Sequence, residues 1–365
     1  MKKKILFLIT FCNCGGLENY LLRYLTFDSI NEKIVCCTGG TTVGELENEY
    51  RNVCHQFDAA RFNYINPWSW LTFIRYLYHN KPDTICDFHG DFAGFPMMIA
   101  WLCGISNRIV GYRQSTNLYR PNIFRTIYSL ITNRMVRIFA SRIISNSEAG
   151  LDFFHPHWRS HREKYIVIRN GVNPAGLETS ESKNEIRQSL GIPEDIFLVG
   201  NIGRAHPAKN HETILRTASL LNRKNPEIRF LFCGKDIPRQ LGTVVEKLGL
   251  REQIYLFDFR KDTNRILKAL DLFYFPSLTE GQPNALIEAM IAGLPIIASN
   301  IDAIKETVPK SFIPDLLPPM AAEMAAKEIC HCMTSPEESA QRTCRDWARE
   351  TYDPKYCFAA FQAYL

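Results

Sequence analysis

No stretch of this 365-residue chain reaches the ~18 consecutive apolar residues that a membrane-spanning helix requires. A spanning helix is therefore excluded from the reading. Regular cysteine spacing is missing too. The twelve cysteines follow no framework pattern, and they read as small buried apolar residues in a reducing compartment, which points to the cytosol. Acids are scarce from Trp101 to Asn170, where eleven Arg or Lys face only Glu148, Asp152 and Glu163. The overall charge of +5 thus conceals a basic segment in a slightly acidic remainder. No nucleic-acid-binding module accompanies that charge, so nucleic acid is not expected as a partner. The start, Met1-Lys2-Lys3-Lys4 followed by Ile5 to Phe11 and Cys12, has the look of a signal peptide. Its apolar run is short and leads into Gly15-Gly16, so it reads as a first β-strand entering a glycine turn.

The length exceeds the ~250 residues at which single cores usually stop growing, so two globular domains are expected. Short β-branched runs alternate with segments of helical period: Ile5–Thr10, Leu17–Thr26 and Lys33–Cys37, then Thr84–Asp87, Arg108–Tyr112, Arg142–Ser145 and Tyr165–Ile168. Such alternation implies a parallel, doubly wound sheet. A polar stretch from Glu178 to Asn184 has the composition of a linker. The alternation restarts with Phe197–Asn201, Arg229–Cys233, Ile254–Phe257, Leu272–Phe275 and Pro295–Ala298. The fold class is therefore α/β, two Rossmann-like doubly wound domains facing a central cleft, with boundaries at 1–177 and 178–350. A last helix, 351–365, is expected to pack back on the first domain.

Three segments carry chemistry. The first runs Pro276-Ser-Leu-Thr-Glu280-Gly281-Gln282-Pro283-Asn284, continues through Glu288, and ends at Gly293-Leu-Pro295. It follows a strand and opens a helix. Eight helical residues span ~12 Å, so Glu280 and Glu288 should stand apart. Carboxylate pairs that hydrolyse a glycosidic bond need ~5–9.5 Å. The spacing suits two grips on one elongated ligand, with a diphosphate at the helix N-terminus between them. The competing reading is two ordinary surface acids. The second segment, Gly200 to Asn210, includes Gly203, Arg204 and Lys209. Here glycine permits close backbone approach and the cations can neutralise phosphate, although the segment is neither a full Gly-x-Gly-x-x-Gly fingerprint nor a Walker loop. The third, Cys14-Gly15-Gly16-Leu17-Glu18-Asn19, reads equally as a phosphate or acceptor loop and as a tight turn.

Together these motifs resemble the retaining glycosyltransferases of family 4, of GT-B fold. Ser145-Asn-Ser147, Ile168 to Asn173, Asp87-Phe-His89-Gly90-Asp91 and Tyr112-Arg113-Gln114-Ser115-Thr116 add to the likeness, which extends to bacterial capsular and exopolysaccharide transferases. The resemblance implies that Arg204 and Lys209 meet the diphosphate and Glu288 the ribose. It implies that Glu280 and the backbone of Gly281, Gln282, Pro283 and Asn284 hold the donor sugar, with the Phe257–Lys261 loop, including Arg260, near the base. Gly15, Gly16 and Gly203 complete the donor set. Gln282 stands where the family usually has Phe, and Arg113 where many members have His, so the His contact would fall to Arg113 or His89. Implied too are a nucleotide-sugar donor, UDP-linked, a saccharide or lipid-linked acceptor, retention by a front-face mechanism, and no metal or other cofactor. A nucleotide-sugar epimerase of the same architecture and a non-catalytic nucleotide-binding partner protein remain open alternatives.

His155-Pro-His157 with His161, and Cys330-His331-Cys332 with Cys344, have no recognised metal spacing and read as a loop and a helix surface. From Tyr119 to Arg142, apolar residues and spaced arginines alternate. The apolar face reads as packed on its own domain. The basic residues of 108–142 are candidates for contact with the inner-membrane surface, which would make the protein peripheral on the cytoplasmic face.

Overall fold

The computed structural model describes every residue except Met1, Cys14, 41–43, Arg61, 63–66, 117–122 and Arg223, and leaves out the side chains of Pro67, Phe124 and Gln341. The chain divides into two compact units, Met1–Gly171 with Pro354–Leu365, and Val172–Asp353. The division falls six residues before the expected boundary at 177. The linker-like composition misplaced it because Val172 is already buried in the second unit's core, with Leu177 packed against the same cluster. The return to the first unit comes three residues later than expected. Tyr352 belongs to the second core and donates its hydroxyl to the Thr307 carbonyl at 2.8 Å. Beyond it, Phe358, Phe361 and Leu365 pack into the first unit's core from the helix Pro354–Gln362 and its end.

The first unit is built on seven parallel strands, β1 Lys4–Ile9, β2 Glu32–Cys37, β3 Gln56–Ala59, β4 Thr84–Asp87, β5 Asn107–Tyr112, β6 Arg142–Ser145 and β7 Tyr165–Val167. Their order across the sheet is β3-β2-β1-β4-β5-β6-β7. A parallel sheet covered on both faces needs continuous apolar strands rather than alternating ones. Residues Ile5 to Ile9 are fully buried, with Ile5 level with both Lys33 and Thr84, so the opening apolar run is a central strand. Only β3 escaped the sequence reading. It is an edge strand whose residues are half-buried or exposed, so it carries no apolar run to detect.

The second unit has five parallel strands, β8 Phe197–Ile202, β9 Ile228–Cys233, β10 Ile254–Phe257, β11 Leu272–Phe275 and β12 Ile296–Ala298, in the order β10-β9-β8-β11-β12. Both sheets reverse direction part-way. The chain winds outward from β1 through β3 and returns to place β4 on the other side of β1. It repeats this from β8 through β10 and places β11 beside β8. At such switch points the loops after adjacent strands diverge and leave a crevice at the carboxyl ends, where doubly wound sheets bind ligands. The crevices lie between β1 and β4 in one unit and between β8 and β11 in the other.

Candidate functional site

In the second unit the loop leaving β8 is fastened to the one leaving β9. Gly203 N donates to the Cys233 carbonyl and Ala205 N to that of Lys235, both at 2.9 Å. The approach is so close that a Cβ on Gly234 would stand 2.2 Å from the Gly203 carbonyl oxygen. Pro207–Lys209 then makes one 3-10 turn, in which His206 Nδ1 accepts from Ala208 N at 3.2 Å. Burial first, then Arg204 and Lys209, hold the His206 pKa below the usual histidine value, so the ring is neutral, as an accepting Nδ1 requires.

Asn210, left-handed at φ 53°, joins this loop to the one after β11. Its amide donates to the Pro276 carbonyl at 2.9 Å and the Pro319 carbonyl at 2.8 Å, and its oxygen accepts from Thr213 Oγ1 at 2.9 Å. Leu278 N donates to the Ala208 carbonyl at 2.8 Å. Between the two tethered loops the Lys209 stem runs along Gly203, 3.3 Å from where a Cβ would be. Its Nζ lies 5.0 Å from the Phe275 ring centre and 2.6 Å from Glu280 Oε1. The two side chains are only 19% and 11% exposed.

Glu280 leads through buried Gly281 and half-buried Gln282 into the helix Asn284–Ala292. Pro283, at the cap, has no side-chain acceptor to offer its N-terminus, and Gly293 ends the helix at φ 85°. Glu288, one turn inside, is 8% exposed. Neither acid is thus an ordinary surface carboxylate. Burying carboxylates without a function to serve is costly. Arg204 is exposed at the mouth of the loop. Arg260 lies after β10, two strands from β8, and grips Asp262 with two bonds of 2.8 and 2.7 Å. That fork, chiefly, holds the Asp262 carboxyl below its usual pKa. Arg260 is therefore a neutralised pair. The sequence reading gave no role to Gly234, Asn210 or His206. A glycine closing the apolar run Ile228–Cys233 was the available signal for the first.

At the first unit's switch point, Gly15 caps the helix Gly16–Phe27 in extended conformation. Its carbonyl accepts from Asn19 N at 3.0 Å and Asn19 Nδ2 at 2.9 Å. A Cβ on Gly15 would meet Glu18 Oε2 at 2.3 Å, so the helix's own first-turn carboxylate stands over its positive end. Cys14 lies outside the described residues.

His89, just beyond β4, bridges Asp87 Oδ1 at 2.5 Å through Nδ1 and Thr38 Oγ1 at 2.9 Å through Nε2. The Thr38 hydroxyl also donates to the Ile9 carbonyl at 3.2 Å, which suits a protonated ring that donates through both nitrogens. Burial opposes that charge, but fully buried Asp87 overrides it and raises the His89 pKa. His89 thereby braces the ends of β1, β2 and β4.

Arg113 stacks 3.7 Å from the Tyr20 ring centre and 5.4 Å from that of Phe88, and its Nη1 donates to Asn170 Oδ1 at 2.8 Å. Its Nε and Nη2 are buried without a hydrogen bond. The guanidinium is packed on these rings within its own unit by cation–π contact. Of the basic residues in 108–142, Arg108 also turns inward, to the Phe139 and Ile105 carbonyls at 2.6 and 2.5 Å. Arg120 lies outside the described residues. Among the described residues no three metal-ligating side chains gather. His155 sits between the rings of Tyr112 and Tyr165, and His331 pairs with Glu338 at 2.8 Å. The eleven described cysteines are free thiols.

Two family models match this chain, Glycosyltransferase Family 4 over residues 15–175 and Glycosyl transferases group 1 over residues 182–351. The chain is a glycosyltransferase. The transferase is 25% identical over 311 residues to the capsular polysaccharide biosynthesis glycosyltransferase CapH of Staphylococcus aureus, covering 82% of this chain and 81% of that one. Over 147 residues it is 33% identical to the UDP-Gal:alpha-D-GlcNAc-diphosphoundecaprenol alpha-1,3-galactosyltransferase of Escherichia coli, covering 38% and 37% of the two chains. The crystal structure of HepE from Anabaena, in complex with UDP and glucose, matches it with a TM-score of 0.84 at 19% identity, over 99% of this chain and 98% of that one. The transferase has the GT-B fold.

Proposed function

We propose that the transferase moves a sugar from a UDP-linked donor to a hydroxyl of a saccharide or lipid-linked saccharide. The pathway would be bacterial capsule, exopolysaccharide or lipopolysaccharide synthesis at the cytoplasmic face of the membrane. Configuration is retained and no metal takes part. The observation that carries this reading is the Lys209–Glu280 pair, held by tethered loops at the β8/β11 switch point in front of the Asn284–Ala292 helix. There an ammonium group, the positive end of a helix and a buried carboxylate converge, as a sugar diphosphate requires.

In this reading Lys209, Arg204 and the helix N-terminus take the diphosphate. Glu288 takes the ribose, and Glu280 with the Gly281–Asn284 backbone takes the sugar hydroxyls. The bond from the anomeric carbon to the β-phosphate oxygen breaks, and the acceptor oxygen bonds to the same face. Its proton passes to the departing diphosphate oxygen. Charge stabilisation by preorganised donors is the main catalytic contribution. The acceptor belongs to the first unit's loops, where His89 and Arg113 act by shaping the crevice. HepE's complex with UDP and glucose and the UDP-galactose donor in the Escherichia coli relative's name support the choice of donor. Both family models describe transfer, which favours it over epimerisation.

Thermal-shift titration with UDP, GDP and ADP sugars, followed by product analysis with and without acceptor, tests the reading. The expected result is stabilisation by a UDP-sugar and a product that requires acceptor. Donor isomerised in the absence of acceptor would establish the epimerase instead, and no shift with any nucleotide sugar would reject both.

A further inference from the structure

The helix Ile123–Phe139 carries apolar residues on two faces. Its inward face is mixed, with Val136 fully buried in the first unit's core and Phe139 packed against it, beside polar contacts. Ser129 Oγ and Asn133 Nδ2 donate to Asp91 at 3.0 and 2.7 Å, and Thr132 is fully buried. Its outward face is apolar. Ile123, Ile127, Leu130, Ile131 and Ile138, at i, i+4, i+7, i+8 and i+15, are 51% to 71% exposed, and this spacing makes one stripe. Trp101, 52% exposed, stands beside the helix's last turn, packed on Phe139 with ring centres 5.4 Å apart. The expectation that the helix hides its apolar residues against its own domain holds for Tyr128, Met135 and Phe139, which are half-buried, and fails for Ile127, Leu130, Ile131 and Ile138.

The charge around the stripe has one sign. From Phe92 to Ser147 the chain contains seven arginines and no Asp or Glu, and Arg134 and Arg137 are exposed on this helix. A second copy of the chain is a poor occupant. A two-fold contact would set these arginines against their own counterparts with no acid in the segment to pair with them. An anionic bilayer meets both requirements, accepting the apolar stripe below its headgroups and the arginines among them. Among the described residues no helix is long and apolar enough to cross a membrane.

We infer that the outward face of the Ile123–Phe139 helix, with Trp101, inserts into one leaflet of an anionic bilayer. The helix lies in the plane of the interface and is held by Arg134 and Arg137. This deepens the reading of a membrane-borne acceptor and rests on it for its purpose. The test uses neither donor nor acceptor, so its failure is separate from failure of the transferase reading.

The full chain is floated with vesicles of phosphatidylcholine and with equimolar phosphatidylcholine and phosphatidylglycerol. Wild type should float with the anionic vesicles. Ile127→Gln with Ile131→Gln, both at exposed positions, should keep the wild-type melting temperature and lower partitioning on the order of tenfold at any salt. Arg134→Gln with Arg137→Gln should lower it about as much at low salt and converge on wild type at high salt. Trp101 fluorescence, taken as the difference between wild type and Trp101→Phe, should shift to the blue on binding. Absence of flotation, wild-type flotation by the double isoleucine variant, or conversion of a dimer to a monomer by that variant would each overturn the inference.

Discussion

The two switch points are built alike in topology and differently in charge. Between β8 and β11 the loops are tied to each other and to the loop after β9, with Gly203 and Gly234 in a backbone contact that no Cβ could enter. Between β1 and β4 the loop leaving β1 is likewise tied to the one leaving β2, through Gly39 N to the Thr10 carbonyl and Leu46 N to that of Cys12, both at 2.9 Å. Here, however, the glycine cap meets only the far end of Glu18, and His89 is turned into a brace with Asp87 and Thr38. One crevice thus sets a cation beside a helix N-terminus, whereas the other spends its histidine on bracing strand ends and stands a carboxylate over its helix. In the proposed reading this division matches a constant nucleotide at one end and an acceptor that varies among related enzymes at the other. Preorganised charge assists only where the transition state always develops it in the same place.

The comparison breaks most sharply at Lys209. In the proposed reading Lys209→Met removes the ammonium from the diphosphate, and it takes away the 2.6 Å ion pair to Glu280. Transfer should fall by about two to three orders of magnitude, mainly in kcat. Turnover within tenfold of wild type, measured at saturating donor, would remove Lys209 from the mechanism. The glycines come next. Gly234→Ala must move backbone, so Lys209 shifts with its loop, and a displacement of this kind costs on the order of 100-fold in rate. Gly15→Ala pushes only a flexible carboxylate aside and should stay within a few-fold of wild type. Equal losses in both variants would show that the two glycines are equally constrained.

Most of the fold was legible because buried parallel strands write themselves as apolar runs. Ile5–Ile9 and Leu272–Phe275 are examples. The edge strand β3 was not legible because half its surface is wet. At the site, spacing set Glu280 and Glu288 apart as two separate positions, and the structure makes the first half-buried and the second buried. What spacing cannot reveal is the partner that a side chain chooses. Lys209 took Glu280 from 71 residues away, Arg113 took the Tyr20 ring, and Arg260 took Asp262. Each choice depends on which loops the sheet order brings together. The helix Ile123–Phe139 is a third kind of case. Its apolar residues were legible, but not their division between a face that packs on the core through Val136 and Phe139 and an exposed stripe.

Histidines sharpen the comparison through pH. In the second unit, burial first and then Lys209 depress the His211 pKa from its ordinary value near 6.5 to about 4. The unfolded chain therefore binds the proton first, and stability falls as pH drops from about 6.5 towards 4. His89 has the opposite sign. Its raised pKa gives stabilisation that is complete below the unfolded value and is lost as pH rises through the folded one. Burial depresses His155 to about 3 and partly offsets this within the same unit. His211→Phe should recover roughly 2–4 °C of melting temperature at pH 5 relative to pH 7.5, whereas His89→Asn should increase the acid loss. Acid sensitivity unchanged in both variants would mean that neither ring titrates as described.

The smallest effect tests whether the fork on Arg260 matters to the donor. With Asp262 neutralising it, the guanidinium adds little to the field over the second unit's strand ends. Asp262→Asn keeps the shape and one acceptor but removes the charge, which leaves Arg260 and its neighbour Arg265 uncompensated at that carboxylate. If the Phe257–Lys261 loop lies near the nucleotide, an anionic donor should then bind about two- to threefold more tightly at low ionic strength, with kcat unchanged and the gain gone at high salt. Arg260→Ala should change donor KM by less than that, because a neutral pair is replaced by a carboxylate that Arg265 still holds. A large loss on Arg260→Ala, with no gain on Asp262→Asn, would mean that the fork opens on binding and that Arg260 belongs with Lys209 among the donor's direct contacts.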